Sequence, residues 1–459
     1  MLKRVLVANR GEIAARILRA CREMNIETVA VFSEADRDSF FTSLATRSIC
    51  IGPAAAKDSY LNQNAILSAA LYTHCDSIHP GYGFLSENAE FAERVAQAGI
   101  TFIGPSAHAI ATMGDKSTAI KLMRTSGVPV VPGSNGLVAT AEEAKAIAEE
   151  IGYPVLLKAT SGGGGRGIRK ISSPEEMEQA FVSSQAEALA CFGQNGVYLE
   201  KLLLKPRHVE VQILADSHGS YVHLGTRDCS IQRNHQKLLE EAPAVFLSNE
   251  EQDRLAADAL KAARAVDYTN AGTVEFIVDE DNSHYFIEMN TRIQVEHPVT
   301  EKITGINIIR EQIRIASGYP LSFSQDEVVF RGHAIECRIN AEDPMNGFKP
   351  CPGAIELLHL PSGFGVRVDT AIHPQYEVTP YYDSMIAKII VSGRNRHEAI
   401  YRMRRALEET FISGIKTTIP LHYMLLMYSP DFISNQIDVS FLDSKLSDLL
   451  QPLDEGIEL

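Results

Sequence analysis

The chain has 459 residues, of which 45% are apolar and 22% are charged, and its 43 basic and 58 acidic residues give a formal net charge of −15. This composition excludes disordered, fibrous and disulfide-stapled proteins and is typical of a globular protein with several domains. The acidic excess leaves no overall field that attracts nucleic acid or an anionic membrane, so an anionic ligand needs local positive charge.

The N-terminal region reads as alternating strands and helices. Residues 4–8 form an apolar run typical of a buried strand, and a helix with one apolar stripe follows before a second strand. Further strand-like segments with helical spacers lie at Ser48–Ile51, Ser77–His79 and Thr101–Gly104. This order predicts a small doubly wound sheet that ends near residue 114. The first turn has only one glycine, Gly11, so the dinucleotide-binding fingerprint is absent.

Neither a secretion signal nor a membrane span is predicted. The apolar run Val5–Ala8 is too short for a signal peptide, and no later segment reaches the roughly 18 apolar residues of a membrane helix. The seven cysteines are odd in number, widely spread and never in C-x-x-C spacing. We therefore expect a reduced, cytoplasmic chain without a zinc ribbon.

The rest of the chain divides into a second α/β region and a C-terminal region with a different pattern. The second region surrounds a glycine-rich loop and is predicted to contain helices at 141–151 and 174–189, a strand at 154–159, and strand-rich stretches at 197–203, 209–224 and 272–289. From Arg331 short strands are broken by prolines before a last helix at 396–410. We expect α/β and α+β architecture, with domains at residues 1–114, 115–330 and 331–446 and a tail at 447–459.

The first segment that suggests chemistry is the glycine run Gly162–Gly165, which follows the apolar strand that carries Lys158. Consecutive glycines allow positive φ and direct several N–H groups at phosphate oxygens, and the lysine adds a positive charge. A flexible surface loop is the alternative. The pattern is not G-x-x-x-x-G-K-[ST], which disfavours a P-loop NTPase.

A predicted hairpin between residues 273 and 290 brings two glutamates together. If it folds about the 281/282 bond, Glu275 faces Glu288 and Thr273 faces Asn290, while apolar residues fill the other face. Like charges directly across a sheet repel, which favours a bridging dication, and two carboxylates with an amide oxygen suit Mg²⁺ or Mn²⁺. The alternative is a solvated sheet face with incidental glutamates.

The segment after this hairpin is rich in groups that bind or react with a small oxyanion. Arg292 and Gln294 offer hydrogen-bond donors, and Glu296 supplies a carboxylate that can accept a proton. An upstream polar stretch adds Gln232, His235 and Lys237. Taken alone, that histidine is more often structural or solvated, and that lysine is more often an ordinary surface residue.

One arginine in the C-terminal region stands out. Arg338 lies in a strand-like run, with Cys337 and Ile339 directed to the opposite face. On composition alone, a surface arginine in an ion pair is the favoured interpretation. The arginines at 402, 404 and 405 fit a solvated helix face, and no function is assigned to them.

Five stretches carry a family resemblance: Ala8–Ala14, His79–Asn88, Met113–Lys116, Tyr153–Gly167 and Phe286–Pro298. In this order they resemble the biotin carboxylases of the ATP-grasp superfamily from end to end, and most closely the free-standing subunit of bacterial or plastid acetyl-CoA carboxylase. Ser161 stands where some bacterial relatives have the first of five glycines, a difference that concerns only the flexibility of a lid.

The resemblance implies an ATP-grasp fold with an N-terminal Rossmann-like pre-ATP-grasp domain, a mobile lid at about residues 130–203 and a C-terminal mixed α/β domain. It implies that ATP is bound by Lys116, Lys158, Gly164, Gly165, Glu200, Lys201, Leu202, Leu203, His208, Gln232 and His235. Two Mg²⁺ or Mn²⁺ ions would be held by Glu275, Glu288 and Asn290, and bicarbonate would be bound by Lys237, Arg292, Gln294 and Val295.

The implied reaction is ATP-dependent carboxylation of biotin by bicarbonate through carboxyphosphate. By resemblance Glu296 acts as the base, Arg338 binds biotin and stabilises its enolate, and Lys237 and Arg292 complete the catalytic set. No Met-Lys-Met biotinylation site occurs, so the biotin carboxyl carrier protein and the carboxyltransferase are expected to be separate subunits. A homodimer is expected, in the cytoplasm or, for a plastid form, the stroma.

Several alternatives stay open or are disfavoured. The final carboxyl acceptor is acetyl-CoA, in fatty acid synthesis, or another acyl-CoA or pyruvate. A carbamoyl-phosphate synthetase half is disfavoured because Gln294–His297 stands where a serine-rich continuation is expected. A silent scaffold subunit is expected to have lost Glu288, Arg292 or Glu296, and all three are present.

Overall fold

The computed structural model describes residues 1–134, 136–159, 168–192 and 196–454. The predicted phosphate-binding glycines Gly164 and Gly165 lie outside the described residues. The chain forms two compact units. The larger comprises residues 1–128, 207–277 and 288–459, and the smaller comprises residues 129–206 and 278–287. The domain boundaries expected at residues 114, 330 and 446 stay predictions.

The larger unit begins with a five-stranded parallel sheet in the order β3-β2-β1-β4-β5. Its strands are β1 (Arg4–Val7), β2 (Glu27–Phe32), β3 (Arg47–Cys50), β4 (Ser77–His79) and β5 (Thr101–Phe102). The helices are α1 (Gly11–Glu23), α2 (Phe40–Leu44), α3 (Gln63–Tyr72), α4 (Ala89–Gln97), α5 (Ala107–Gly114) and α6 (Lys116–Thr125).

Helices cover both faces of this sheet because successive residues of a strand point to opposite sides. In β1, Val5 and Val7 pack in one core with the apolar stripe of α1, whereas Leu6 packs in a second core with α3 and α4. The predicted doubly wound arrangement is therefore confirmed.

The smaller unit contains a three-stranded antiparallel sheet in the order β7-β6-β8. Its elements are α7 (Ala141–Ile151), β6 (Val155–Ala159), β7 (Ile168–Ile171), α8 (Met177–Phe192) and β8 (Val197–Lys201). Val155 and Leu157 pack against residues of α7 and α8, so the alternate residues Leu156 and Lys158 project from the other face. The predicted helix at 141–151 is confirmed, and the helix predicted from 174 begins at Met177 after a 3-10 turn.

The chain continues with β9 (Arg207–Ala215), β10 (Tyr221–Arg233), β11 (Gln236–Ala242), α9 (Asn249–Ala265), β12 (Asn270–Val278), β13 (His284–Asn290), α10 (His297–Thr304) and α11 (Ile308–Ala316). The polar stretch at residues 233–237 contains the turn between β10 and β11, which consists of residues 234 and 235. Asn234 and His235 adopt positive φ there, as a two-residue turn whose twist matches the flanking strands requires.

The C-terminal strands are β14 (His333–Asn340), β15 (Glu342–Asp343), β16 (Lys349–Pro350), β17 (Gly353–Ala354), β18 (Leu358–His359), β19 (Val366–Thr370), β20 (Glu377–Val378), β21 (Met385–Gly393) and β22 (Phe411–Ile412). The helices are α12 (Arg396–Glu409), α13 (Ile419–Tyr428), α14 (Pro430–Ile433) and α15 (Phe441–Asp454). The short pairs β15-β16, β17-β20 and β18-β22 confirm the predicted short strands.

One eight-stranded sheet has the order β13-β12-β9-β10-β11-β14-β21-β19. All of its strand residues except 278 and 284–287 belong to the larger unit. The pattern of the sequence changes at residue 331, and β14, which follows this change, pairs with β11 in the same sheet. This pairing places residues from distant parts of the sequence on one continuous face.

The sequence predicts reduced cysteines and no membrane-spanning helix. Cys21, Cys50, Cys75, Cys229, Cys337 and Cys351 are free thiols in the described part. Among the residues that the structure describes, each helix is too short or too polar to cross a lipid bilayer.

Candidate active site

Three charged side chains from separate parts of the sequence meet in the larger unit. The carboxylate of Glu296 accepts a 2.7 Å hydrogen bond from Nζ of Lys237 and a 3.0 Å hydrogen bond from Nη2 of Arg338, one at each oxygen. Glu296 is fully buried, and the side chains of Lys237 and Arg338 are only 11% and 16% exposed. The predicted base is therefore held between two cations.

Each of these residues lies at the end of an element. Lys237 follows the tight turn at the start of β11, and Arg338 lies near the end of β14. Val295 and Glu296 form the turn that precedes α10, whose first turn contains Pro298, a residue favoured where the helix N–H groups have no partner. The pairing of β11 with β14 brings the two cations to this turn.

The surrounding charges determine the protonation state of this cluster. Burial alone would raise the pKa of Glu296, but Lys237, Arg338 and Arg227 lower it below its usual range. Burial would lower the pKa of Lys237, but Cys229 and three nearby carboxylates raise it well above the usual lysine value. At neutral pH the cluster therefore contains an anionic glutamate and cationic partners.

Sequence reasoning missed a second layer of buried charge behind this cluster. Arg227 forms an ion pair with Glu210 and donates a 2.9 Å hydrogen bond to Gln212. Glu210 in turn accepts a 2.6 Å hydrogen bond from Lys237. The available signal was the alternation of polar and apolar residues along 209–213, but burial of its polar face follows only from the pairing of β9 with β10.

Two further carboxyl groups flank Arg338. Its Nε donates a 2.6 Å hydrogen bond to Glu240, which lies directly opposite Glu336 in the β11-β14 ladder. Burial raises the pKa of both glutamates. One oxygen of Glu240 and both oxygens of Glu336 are buried without a hydrogen-bond partner among the described residues. Burial therefore disfavours the charged form of both carboxyl groups.

The predicted metal ligands lie on the β12-β13 hairpin. Glu275 is buried and accepts hydrogen bonds from Asn290 Nδ2 at 2.8 Å and Lys237 Nζ at 2.9 Å. Glu288 is more exposed, and its carboxylate lies 3.6 Å from Nζ of Lys116. Carboxylate and amide oxygens are the donors that Mg²⁺ and Mn²⁺ prefer, so these residues fit a divalent cation.

The turn of this hairpin differs from the prediction. The N–H of Asp279 donates a 2.9 Å hydrogen bond to the carbonyl of Ser283, which centres the turn on Asp281 rather than on the 281/282 bond. The predicted centre is wrong by half a residue. Local turn chemistry explains the difference, because the Asp281 carboxylate accepts a 2.8 Å hydrogen bond from the Ser283 N–H and Asn282 adopts positive φ.

The predicted oxyanion-binding side chains adjoin the predicted metal ligands. Arg292 donates 2.7 Å hydrogen bonds to Glu87 and to Oδ1 of Asn290, and a 3.0 Å bond to Gln294. Gln294 donates a 3.0 Å hydrogen bond to Glu275. One network of hydrogen bonds therefore connects the proposed oxyanion donors with the proposed metal ligands.

The predicted nucleotide-binding residues in the smaller unit are Lys158, Glu200, Lys201, Leu202 and Leu203. Lys158 on β6 and Glu200 on β8 form an ion pair. Nζ of Lys201 donates hydrogen bonds to the backbone carbonyls of Gly152 and Tyr153, at 2.8 and 3.2 Å, so this ammonium group stabilises the backbone. The two leucines are half-buried and follow β8.

The remaining nucleotide candidates lie in the larger unit. Lys116 is the first residue of α6, and its side chain is exposed. Nε2 of His208 lies 2.9 Å from the Glu275 carboxylate. Gln232 is buried on β10, whereas His235 is exposed at the turn that follows.

Family comparisons cover most of the chain. Residues 1–110 match the "Biotin carboxylase, N-terminal domain" family, residues 115–324 match "Carbamoyl-phosphate synthase L chain, ATP binding domain", and residues 336–444 match "Biotin carboxylase C-terminal domain". Biotin carboxylase 1 of Bacillus subtilis is 56% identical over 445 residues, which cover 97% of this chain and 99% of that protein.

Solved structures agree with these matches. The biotin carboxylase subunit of a pyruvate carboxylase has a TM-score of 0.91 at 51% identity, covering 98% of this chain and 99% of that chain. The biotin carboxylase domain dimer of Hydrogenobacter thermophilus 2-oxoglutarate carboxylase, in complex with MgADP, ADP and bicarbonate, has a TM-score of 0.86 at 49% identity, with the same coverage of 98% and 99%.

The fold and the site define an ATP-dependent ligase with the ATP-grasp fold. The chain belongs to the biotin carboxylase family, and the reaction it catalyses is the ATP-dependent carboxylation of biotin.

Proposed function

We propose that this enzyme uses bicarbonate and MgATP to carboxylate biotin on a separate carrier protein, as the first half-reaction of acetyl-CoA carboxylase. The observation that carries this proposal is the buried Glu296 carboxylate between Lys237 and Arg338. A base fixed between two cations suits a reaction that deprotonates one small anion and then stabilises a second negative charge. The complex of the Hydrogenobacter thermophilus domain with MgADP and bicarbonate supports the substrates.

The first step must overcome the poor nucleophilicity of bicarbonate, so the anion has to be oriented against the γ-phosphate of ATP. In this proposal bicarbonate is bound by Lys237, Arg292, Gln294 and Val295. Glu296 accepts the bicarbonate proton as the oxygen attacks the γ-phosphorus, which gives carboxyphosphate and ADP. Carboxyphosphate then breaks down to CO2 and phosphate.

The second step moves the carboxyl group to biotin. The released phosphate removes the N1′ proton of biotin, and the Arg338 guanidinium stabilises the negative charge of the resulting enolate. The enolate then captures CO2 at N1′. The low exposure of Arg338 limits the water that would compete for this charge.

The divalent cations, Mg²⁺ or Mn²⁺, neutralise the phosphate charge of the nucleotide in this proposal, and Glu275, Glu288 and Asn290 hold them. ATP is bound by the residues assigned above, including Gly164 and Gly165. We assign residues 130–203 as the lid that excludes water from carboxyphosphate.

The partners in this proposal are a biotin carboxyl carrier protein and carboxyltransferase subunits, and the enzyme acts as a homodimer in the cytoplasm or the plastid stroma. Pyruvate is the second candidate acceptor, because the biotin carboxylase subunit of a pyruvate carboxylase is 51% identical to this chain. Reconstitution with the co-purifying carboxyltransferase distinguishes the two, since malonyl-CoA supports acetyl-CoA as acceptor and oxaloacetate supports pyruvate.

The half-reaction itself is tested with labelled bicarbonate. Incubation of the purified enzyme with MgATP, free biotin and [14C]bicarbonate is expected to give acid-labile label on biotin. Label that requires ATP but appears without biotin would contradict the proposed acceptor.

A further inference from the structure

Lys388 is a fully buried lysine that the mechanism above does not use. Its Nζ donates a 2.7 Å hydrogen bond to the carbonyl of Val295 and lies 3.0 Å from Oε1 of Glu12. Burial of an ammonium group is costly unless the group is paired and hydrogen-bonded, so both contacts are needed to keep it there. Burial lowers the pKa of Lys388, but Glu12, Glu336 and Asp369 raise it above its usual value, so the side chain is cationic.

The sheet places this lysine beside the proposed biotin-binding arginine. Lys388 on β21 lies directly opposite Arg338 on β14, and opposed residues of an antiparallel pair project from the same face. Two cations in this position repel each other. They contact consecutive residues of one turn, because Arg338 binds the carboxylate of Glu296 and Lys388 binds the carbonyl of Val295.

The contact with a backbone carbonyl has a specific geometric effect. The carbonyl of Val295 and the N–H of Glu296 belong to one rigid peptide plane. By binding that carbonyl, Lys388 fixes the orientation of the plane and therefore the Cα from which the Glu296 carboxylate projects.

The preceding peptide plane is held separately. Nδ1 of His297 lies 2.8 Å from the carbonyl of Gln294, in the plane that carries the N–H of Val295. An apolar residue offers an anion only its backbone N–H, so the orientation of the Gln294–Val295 plane decides whether Val295 can bind bicarbonate. The orientation of the Val295–Glu296 plane decides whether the Glu296 carboxylate faces the same anion.

We propose that Lys388 is a positioning residue for bicarbonate, which orients the Val295–Glu296 peptide so that the Glu296 carboxylate faces the anion bound by the Val295 N–H. This inference rests on the proposed function, because bicarbonate binding by Val295 is part of that proposal. Lys388 acts through the backbone of the turn, since its hydrogen-bond partner there is a main-chain carbonyl.

The test is steady-state kinetics of Lys388→Met, which keeps an apolar stem and removes the ammonium group. We expect kcat/KM for bicarbonate to fall by about tenfold or more, while KM for ATP stays within about twofold of the wild-type value. The matched control is Arg396→Met, which breaks another buried ion pair, with Glu241. Because Arg396 contacts Glu241, Phe432 and Ile433, this control is expected to lower Tm without a selective effect on bicarbonate.

A second variant covers the case in which Lys388→Met does not fold. The single change leaves Glu12 as a buried carboxylate without its cation, whereas Glu12→Gln/Lys388→Met leaves neither charge. The double variant is expected to show the same selective loss for bicarbonate. Unchanged kinetics for bicarbonate, or an equal rise of KM for ATP and bicarbonate, in either folded variant would overturn the positioning role.

The inference and the proposed function fail in different ways. Wild-type enzyme whose phosphate release does not depend on bicarbonate would overturn the proposed function and the inference with it. Wild-type enzyme that depends on bicarbonate, together with a folded Lys388 variant of unchanged kcat/KM, overturns only the inference.

Discussion

Lys237 and Glu296 form a buried ion pair in which Nζ lies 2.7 Å from Oε1. The same ammonium group donates a 2.9 Å hydrogen bond to Glu275, the proposed metal ligand. The proposed base and the proposed metal ligand therefore share one cation, which lowers the pKa of both carboxyl groups. This arrangement keeps the Glu296 carboxylate ionised at neutral pH.

The role of Glu296 predicts a clear separation of binding and turnover. Glu296→Gln keeps the shape of the side chain and removes its basicity, so turnover is expected to fall by about 100-fold or more while ATP binding stays nearly intact. Phosphate release and calorimetric titration with ATP measure the two effects. The matched control is Glu311→Gln, which changes a buried carboxylate of α11 that binds Ser322. Loss of ATP binding in Glu296→Gln would show that its role is misassigned.

The metal assignment predicts an absolute need for a divalent cation. EDTA is expected to abolish phosphate release, and added Mg²⁺ or Mn²⁺ is expected to restore it. Glu288→Gln removes one proposed ligand charge and is expected to raise the Mg²⁺ concentration for half-maximal rate by about tenfold. Glu280→Gln changes an exposed glutamate of the same hairpin and is the control. Equal Mg²⁺ dependence of the two variants would contradict the assignment of Glu288.

The nucleotide assignment predicts an effect on ATP affinity in the smaller unit. Lys158→Met removes the proposed phosphate contact and is expected to raise KM for ATP by about tenfold, the size expected for one charge-assisted hydrogen bond. Lys170→Met, on the exposed surface of β7, is the control. A Lys158→Met enzyme with the KM of the control would remove Lys158 from the site.

Acid stability depends on a buried histidine behind Arg338. Nε2 of His422 lies 2.8 Å from the carbonyl of Arg338, and burial lowers the pKa of His422 from 6.5 to about 4. Between these pH values the unfolded chain binds the proton and the folded protein does not, so the free energy of unfolding falls as the pH drops from 6.5 to 4. This one residue accounts for a fall of about 3 kcal/mol in the free energy of unfolding.

Urea unfolding at pH 7 and pH 4.5 measures this effect. His422→Gln is expected to lose less stability between the two pH values than the wild type, and the comparison separates His422 from other buried groups. The exposed His218→Gln is the control. An unchanged pH dependence in His422→Gln would contradict this role of the histidine.

The parts of the fold that could be predicted are the elements whose residue pattern lies within one continuous segment of the sequence. The apolar spacing of α7 is complete within residues 141–151, and its observed bounds match the prediction. The pairing of β14 with β11 could not be predicted, because the register between strands about 90 residues apart depends on the packing of the whole sheet.

The candidate active site could also be predicted only in part from the sequence. Glu296 was singled out by its motif and Arg338 was assigned a role only through the family resemblance, and the structure brings the two side chains together. Glu210 and Arg227 were missed because their burial depends on the pairing of β9 with β10, which contains a register shift. One feature of the sequence distinguishes Lys388, because it is the only charged residue in the apolar strand Met385–Gly393.

The most direct test of the proposed reaction is phosphate release by the purified chain with MgATP and bicarbonate, measured with and without free biotin. We predict that release requires bicarbonate and increases when biotin is added. The same rate of phosphate release with and without biotin would contradict biotin as the carboxyl acceptor.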